Sequence, residues 1–148
     1  MSKTPSISLG SDHAGLPLKR ALVAHLESRG YTVVDRGTFT EESCDYPMYA
    51  QAVAADVVSG SCRLGVLVCS TGVGISIAAN KVPGIRAALV HTVEMATLSR
   101  QHNDANIICF GQRYTAPELA VQCLDAFLKA EFEGGRHARR IGQIEPLS

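Results

Sequence analysis

The chain has 148 residues, and its 14 lysines and arginines balance 14 aspartates and glutamates, so the formal net charge is zero. This length is typical of one domain. The balance argues against a nucleic-acid-binding surface or a polybasic membrane anchor. The sequence contains neither the apolar run of a secretory signal nor a stretch long enough to span a membrane, so we expect a cytoplasmic protein.

The five cysteines also indicate a reducing compartment. Their number is odd and no two have C-x-x-C spacing, which argues against a disulfide framework or a structural zinc site. We expect Cys44, Cys62, Cys109 and Cys123 to be buried small apolar side chains. Cys69 differs from them because it opens a glycine-rich segment.

The first half of the chain alternates strand and helix patterns. A short β-forming run over 6–10 precedes apolar residues at helical spacing over 16–29. Residues 31–35 are rich in β-formers, residues 48–58 are predicted to be helical, and residues 64–69 form a continuous apolar run. Such a run is typical of a strand covered on both faces of a sheet.

The second half of the chain continues the alternation. The pattern predicts a short helix over 74–80, a strand over 85–90, a helix over 93–101, a strand over 106–110 and a long helix over 116–130. We expect a last helix at about 133–146, packed on the body of the domain or on a partner subunit.

Strands alternating with helices are typical of βαβ units around a parallel sheet. Because crossovers between parallel strands are right-handed, helices cover both faces of that sheet. The sequence therefore predicts an α/β fold in one domain over residues 1–148. We expect a three-layer α/β/α Rossmann-like sandwich with a five-stranded parallel sheet in the order 2-1-3-4-5 and an extra C-terminal helix.

Polar residues follow the strands at the edge of the sheet where ligands bind. Asp12 and His13 follow the first predicted strand, and Cys69 ends the third. Ligands bind beyond the carboxyl ends of parallel strands, where the strand order reverses, so these three side chains should be neighbours. Any α/β loop carries polar residues, but a carboxylate, an imidazole and a thiol at one crevice favour a functional site.

The segment that starts at Cys69 reads Cys-Ser-Thr-Gly-Val-Gly-Ile-Ser. Its thiol lies where a buried strand turns into a helix, and the helix N-terminus favours the thiolate. Gly72 and Gly74 allow the backbone N–H groups to approach an anion such as an enediolate oxygen. This combination of a soft base and an anion-binding loop is suited to removing a proton next to a carbonyl.

Three other glycine-rich or thiol sites do not match. A Walker P-loop motif is absent, and the residues at 10–15 lack the spacing of a dinucleotide-binding fingerprint. A cysteine phosphatase would need arginine at position 75, where this chain has Ile75.

Four basic residues could bind a phosphate group. Arg136 and Arg140 are four residues apart on one face of the last predicted helix, while Arg113 and His13 follow strands. The alternative for the two helix residues is a solvated basic patch.

His102 lies at the end of the fourth helix, near the amino-terminal edge of the sheet in its own subunit. It can reach a crevice at the carboxyl edge only from a second subunit. We therefore expect a dimer with shared sites.

Six segments spread over nearly the whole chain match one family. They are Gly10-Ser-Asp-His-Ala-Gly15, Asp45-Tyr-Pro47, Cys69-Ser-Thr-Gly-Val-Gly-Ile-Ser-Ile-Ala-Ala-Asn80, Gly84-Ile-Arg-Ala87, Ser99-Arg-Gln-His-Asn-Asp-Ala-Asn106 and Gly134-Gly-Arg-His-Ala-Arg-Arg140. In these segments the chain resembles the ribose-5-phosphate isomerase B family, within a wider group that includes allose-6-phosphate and galactose-6-phosphate isomerases.

The resemblance implies a role for each matching position. Cys69 matches the catalytic base, and His102 matches the residue that assists opening of the furanose ring, with Asp12 and Tyr46 beside the sugar. Asn103 matches a substrate contact from the second subunit. The loop that holds the enediolate comprises Ser70, Thr71, Gly72, Val73 and Gly74, with Thr71 in the catalytic set. The phosphate-binding set comprises His13, Arg113, Arg136 and Arg140.

The resemblance also implies an enzyme without a metal or organic cofactor that acts as a homodimer or a dimer of dimers. The predicted function is the interconversion of ribose 5-phosphate and ribulose 5-phosphate through a cis-enediolate. Other phosphosugars, such as allose 6-phosphate or erythrulose 4-phosphate, are alternative substrates. A non-catalytic phosphosugar-binding module and a thiol-dependent hydrolase are further alternatives.

Overall fold

A computed structural model describes residues 5–145, and every predicted element is present with its ends shifted by a few residues. The elements are β1 (Ser6–Ser11), α1 (Leu16–Ser28), β2 (Thr32–Asp35), α2 (Tyr46–Val58), β3 (Leu64–Cys69), α3 (Val73–Asn80), β4 (Ala87–Leu89), α4 (Val93–Asn103), β5 (Ile107–Gly111), α5 (Pro117–Lys129) and α6 (Arg136–Ile144). The last helix is shorter than the predicted 133–146, and residue 146 lies outside the described range.

The five strands form one parallel sheet in the order β2-β1-β3-β5-β4. The predicted fold class is confirmed, but the predicted order 2-1-3-4-5 is wrong for the last two strands. Every residue of β5 is buried, and this strand lies inside the sheet beside β3. In contrast, β4 has three half-buried residues and lies at the edge, where a short strand leaves few backbone groups unpaired.

Two apolar clusters fill the spaces between the sheet and its helices. On one face, Leu22 of α1 and Phe127 of α5 pack with Val68 of β3. On the other, Ile75 of α3 packs with Cys69 and other residues of β3 and α2. Successive side chains of a strand alternate between faces, so the Cys69 side chain lies on the α2–α3 side. Among the described residues, no helix is long and apolar enough to cross a membrane.

A buried carboxylate connects β1, the end of β2 and α2. Asp56 is 6% exposed and accepts hydrogen bonds from Ser8 Oγ at 2.8 Å and from Arg36 Nε and Nη2 at 2.8 and 2.6 Å. The hydrogen bond from the Arg36 guanidinium lowers the pKa of Asp56, with the Ser8 hydroxyl adding to the effect and burial opposing it. The charged form of Asp56 therefore stabilises the fold.

We expect Asp56→Asn to lower the free energy of unfolding at pH 7 by about 1.5 kcal/mol, the lower end for a hydrogen bond to a charged group. Because the pKa of Asp56 is lower in the folded state, its contribution is present above the unfolded pKa of about 4 and is lost as the pH falls through the folded value. Urea denaturation of the wild type and of Asp56→Asn at pH 7 and pH 3 measures this difference in the free energy of unfolding. A difference that is as large at pH 3 as at pH 7 would contradict the assignment.

Candidate active site

Three loops meet at the carboxyl edge of the sheet. They follow β1, β3 and β5, which are adjacent in the observed strand order. The loop after β5 is bonded to the loop after β3, because the N–H groups of Gln112 and Arg113 donate to the carbonyl oxygens of Cys69 and Ser70, each at 3.0 Å. The corrected strand order thus places Arg113 next to Cys69, closer than the predicted order would allow.

Cys69 lies at the floor of this crevice and is 4% exposed. Its sulfur accepts the N–H of Gly72 at 3.2 Å, at the start of α3. Gly72 has a φ of 80°, and a Cβ there would lie 2.9 Å from the carbonyl carbon of Phe110 and would also collide with Leu89. Only glycine lets this amide reach the sulfur, and an N–H donated from a helix start stabilises a thiolate.

The other cysteines lack this environment, although all five are free thiols. Burial raises the pKa of Cys62, Cys109 and Cys123, which keeps them as inert thiols. Their predicted burial is confirmed. The predicted burial of Cys44 is wrong, because this residue is only half-buried. Its sulfur lies 3.9 Å from His13 Nδ1. It belongs to the loop after β2, whose backbone reaches the crevice.

His13 and Asp12 are held by the backbone around them. His13 Nδ1 accepts the N–H of Cys44 at 3.1 Å, so Nε2 is the nitrogen that carries the proton in the neutral ring. An Nε2–H of this kind can donate to an anion. Asp12 is 6% exposed, and its Oδ1 accepts the N–H of Gly15 at 3.0 Å, which fixes the turn into α1.

Tyr46 begins α2 and lies against the first turn of α3. A Cβ at Gly74 would lie 2.5 Å from Tyr46 Cζ and 2.7 Å from its hydroxyl oxygen. Thr71 bridges the same turn by accepting the N–H of Val73 at 3.2 Å. The predicted loop and the predicted sugar contact therefore form one surface.

Four predicted site residues lie at the opposite edge of the sheet: His102, Asn103, Arg136 and Arg140. Helix α4 ends at Asn103, just before β5 begins at Ile107, whereas Cys69 is paired with Gly111 at the far end of β5. Four residues of strand correspond to roughly 13 Å. One chain therefore does not bring these residues to the Cys69 crevice.

Comparison with known proteins identifies the family. A family model described as Ribose/Galactose Isomerase matches residues 7–144. The chain is 51% identical over 141 residues to ribose-5-phosphate isomerase B of Escherichia coli strain K12, with 95% of each protein covered. The chain belongs to the ribose/galactose isomerase family. The resemblance that the sequence motifs predicted is confirmed.

Solved structures of this family have the same fold as the chain. Ribose-5-phosphate isomerase B of Clostridium thermocellum has a TM-score of 0.93 at 54% identity, with 94% of each chain covered. Ribose-5-phosphate isomerase B of Mycoplasma genitalium with bound ribulose-5-phosphate has a TM-score of 0.90 at 45% identity, covering 94% of this chain and 93% of that one.

The structure of this chain contains supporting residues that the sequence motifs did not reveal. Gln112 Oε1 accepts the N–H of Leu18 at 3.0 Å and ties the loop after β5 to α1. A Cβ at Gly111 would lie 2.5 Å from the carbonyl carbon of Thr71. Both contacts depend on β5 lying beside β3, which no local pattern predicts.

We expect Gly74→Ala to fold, because alanine suits a helix, but to displace the Tyr46 ring that its Cβ would meet. If Tyr46 contacts the sugar, KM for the sugar phosphate should rise by roughly tenfold. Steady-state kinetics and thermal unfolding test this. Gly142→Ala in α6 is the matched control, because its Cβ would meet nothing within 4 Å. An unchanged KM in Gly74→Ala would contradict the role given to Tyr46.

Proposed function

We propose that this chain interconverts ribose 5-phosphate and ribulose 5-phosphate, with Cys69 as the base. The proposal rests mainly on one hydrogen bond: the Cys69 sulfur accepts the N–H of Gly72 at 3.2 Å, where β3 turns into α3. Family membership and 51% identity to the E. coli ribose-5-phosphate isomerase B support the reaction class and the substrate.

The reaction moves one proton between neighbouring carbons. The Cys69 thiolate removes the C2 proton of the open-chain aldose, and the C1 carbonyl oxygen takes the negative charge of the cis-enediolate. Backbone N–H groups of residues 70–74 stabilise that charge. The thiol then returns the proton to C1, while the hydroxyl proton on O2 passes to O1, which leaves the C2 carbonyl of the ketose.

The remaining residues bind the two ends of the substrate. His102 and Asp12 assist opening of the furanose ring, and Asn103 and Tyr46 contact the sugar. The phosphate dianion is bound by the side chains of His13, Arg113, Arg136 and Arg140. Guanidinium groups suit this role because their paired N–H groups match phosphate oxygens. No metal or organic cofactor takes part in these steps.

A homodimer completes each site under this proposal. His102, Asn103, Arg136 and Arg140 lie at the amino-terminal edge of the sheet and reach Cys69 only from a second chain. Apolar side chains beside the crevice support such an interface, since Val73 and Ile77 of α3 and Met48 of α2 are 48, 55 and 60% exposed. A dimer of dimers would retain the same shared sites.

We also propose that residues 1–148 act as one sugar-phosphate isomerase domain in the cytoplasm. Its five free thiols suit a compartment that keeps cysteines reduced.

Cys69→Ala should lower kcat for ribose 5-phosphate by about 10²- to 10⁴-fold, the usual contribution of a general base. Binding of ribulose 5-phosphate, measured by calorimetry, should remain, because the phosphate contacts are untouched. Cys62→Ala is the matched control, because this residue is only 2% exposed and lies just before the start of β3, away from the crevice.

Near-normal kcat in Cys69→Ala would refute the base assignment. The same assay with allose 6-phosphate and erythrulose 4-phosphate tests the substrate. A higher kcat/KM for either than for ribose 5-phosphate would move the proposal to another phosphosugar, and binding without turnover of any would favour a binding module.

Shared sites predict complementation between inactive variants. Cys69→Ala and His102→Asn should each be inactive, but mixed dimers formed by refolding the two together contain one intact site. Random pairing should then restore about a quarter of wild-type activity. Assays of the mixture, with each variant refolded alone as a control, measure this. No recovery, despite mixed dimers seen by native mass spectrometry, would place both residues in one chain's site.

A further inference from the structure

His102 and His137 form a stacked pair where α4 meets α6. Their ring centroids are 4.3 Å apart and their planes differ by 9°. The His102 side chain is 37% exposed, whereas that of His137 is 9% exposed. The buried ring therefore forms a platform on which the more exposed ring lies.

Glu133 lies beside this pair, with Oε1 3.7 Å from Nε2 of each ring. The three ligand atoms are within 4.8 Å of one another. A shared metal ion would have to lie in the plane of both rings, about 2 Å from each nitrogen. In two nearly parallel stacked rings the nitrogen lone pairs point in parallel directions and do not converge on one point. The geometry therefore favours a stacked histidine pair over a metal site.

One backbone hydrogen bond anchors the segment before α6 to α4, and a second one shapes the turn that carries His137. The N–H of Glu133 donates to the Gln101 carbonyl at 3.0 Å, and the N–H of His137 donates to the Gly134 carbonyl at 3.1 Å. Gly134 and Gly135 have φ values of 69° and 59°, which lets the chain turn sharply into α6. His137 is thus fixed relative to His102 before any partner binds.

Packing alone does not explain an imidazole at this position. His137 Nε2 is buried and has no hydrogen-bond partner among the described residues, a situation that costs stability. Burial lowers the pKa of His137, with the positive charges of His102, Arg136 and Arg140 adding to the effect and Glu133 opposing it. The ring of His137 is therefore neutral near pH 7.

We propose that His137 is a positioning residue, whose flat ring fixes the His102 imidazole in the orientation needed to open the sugar ring. This inference rests on the proposed function, which gives His102 the ring-opening step. Without the platform, the half-exposed His102 side chain would sample other rotamers, and misplacement of a catalytic group lowers the rate steeply.

Two substitutions separate stacking from other roles. His137→Ala removes the platform and should lower kcat for ribose 5-phosphate by about tenfold or more. His137→Phe keeps a flat ring and removes the unpaired nitrogen, so it should stay within about threefold of wild type and unfold at a higher temperature. If His137→Ala does not fold, His137→Leu fills the space with a non-planar side chain. Equal losses of kcat in His137→Phe and His137→Ala would overturn the proposal that His137 acts by stacking.

A kinetic isotope effect identifies the step that is slowed. With ribose 5-phosphate deuterated at C2, the isotope effect on kcat in His137→Ala should be no larger than in wild type, because ring opening leaves the C2–H bond intact. A larger effect would assign the loss to proton transfer and overturn the inference.

NMR of the His102 ring tests the effect of His137 on His102 without any measurement of turnover. The His102 Cε1–H resonance, assigned with His102→Asn, should shift in His137→Ala and stay near its wild-type position in His137→Phe. An unchanged resonance in His137→Ala would overturn the inference whatever the substrate is. Absence of wild-type turnover of ribose 5-phosphate, with these NMR shifts intact, would instead refute the proposed function.

Discussion

The site depends on the close approach of two glycine-containing turns at the carboxyl edge of the sheet. A Cβ on Gly72 would lie 2.9 Å from the Phe110 carbonyl carbon, and one on Gly111 would lie 2.5 Å from that of Thr71. Because neither side chain exists, the loops after β3 and β5 touch through their backbones. That contact aims the Gly72 N–H at Cys69 and fixes the position of Arg113. The geometry around Cys69 therefore depends on the absence of side chains at Gly72 and Gly111.

A fully buried lysine holds the loop after β2 against the same crevice. Lys19 Nζ donates at 2.6 Å to Asp35 Oδ1 and at 2.6 Å to the Thr38 carbonyl. A buried ammonium is costly unless it is paired and hydrogen-bonded, and here both conditions are met. The loop continues to Cys44, whose N–H binds His13 Nδ1. A core ion pair thus orients the imidazole that faces the phosphate in the proposed mechanism.

The fold separates the proposed machinery into two rigid groups at opposite edges of the sheet. One contains the thiol and its anion-binding loop, and the other contains His102 with its stacked partner His137. Under the proposed mechanism, activity depends on the assembly of two chains, because neither group alone would open a sugar ring and move its proton. The fold also places His102 and the two arginines proposed to bind phosphate on one side of the molecule, since α6 docks on α4 through His137.

Local pattern determined the elements of this protein and the chemistry of its motifs. The alternation of apolar runs gave the strands and helices, and Cys69 before Gly72 and Gly74 was recognisable because a thiol at a strand-to-helix turn needs close backbone amides. The spatial order of β4 and β5 was decided only in the tertiary structure, because both are short apolar strands and their places depend on which one is buried on both sides. The same holds for the His102–His137 stack, whose members are 35 residues apart in sequence and meet only when α6 packs on α4.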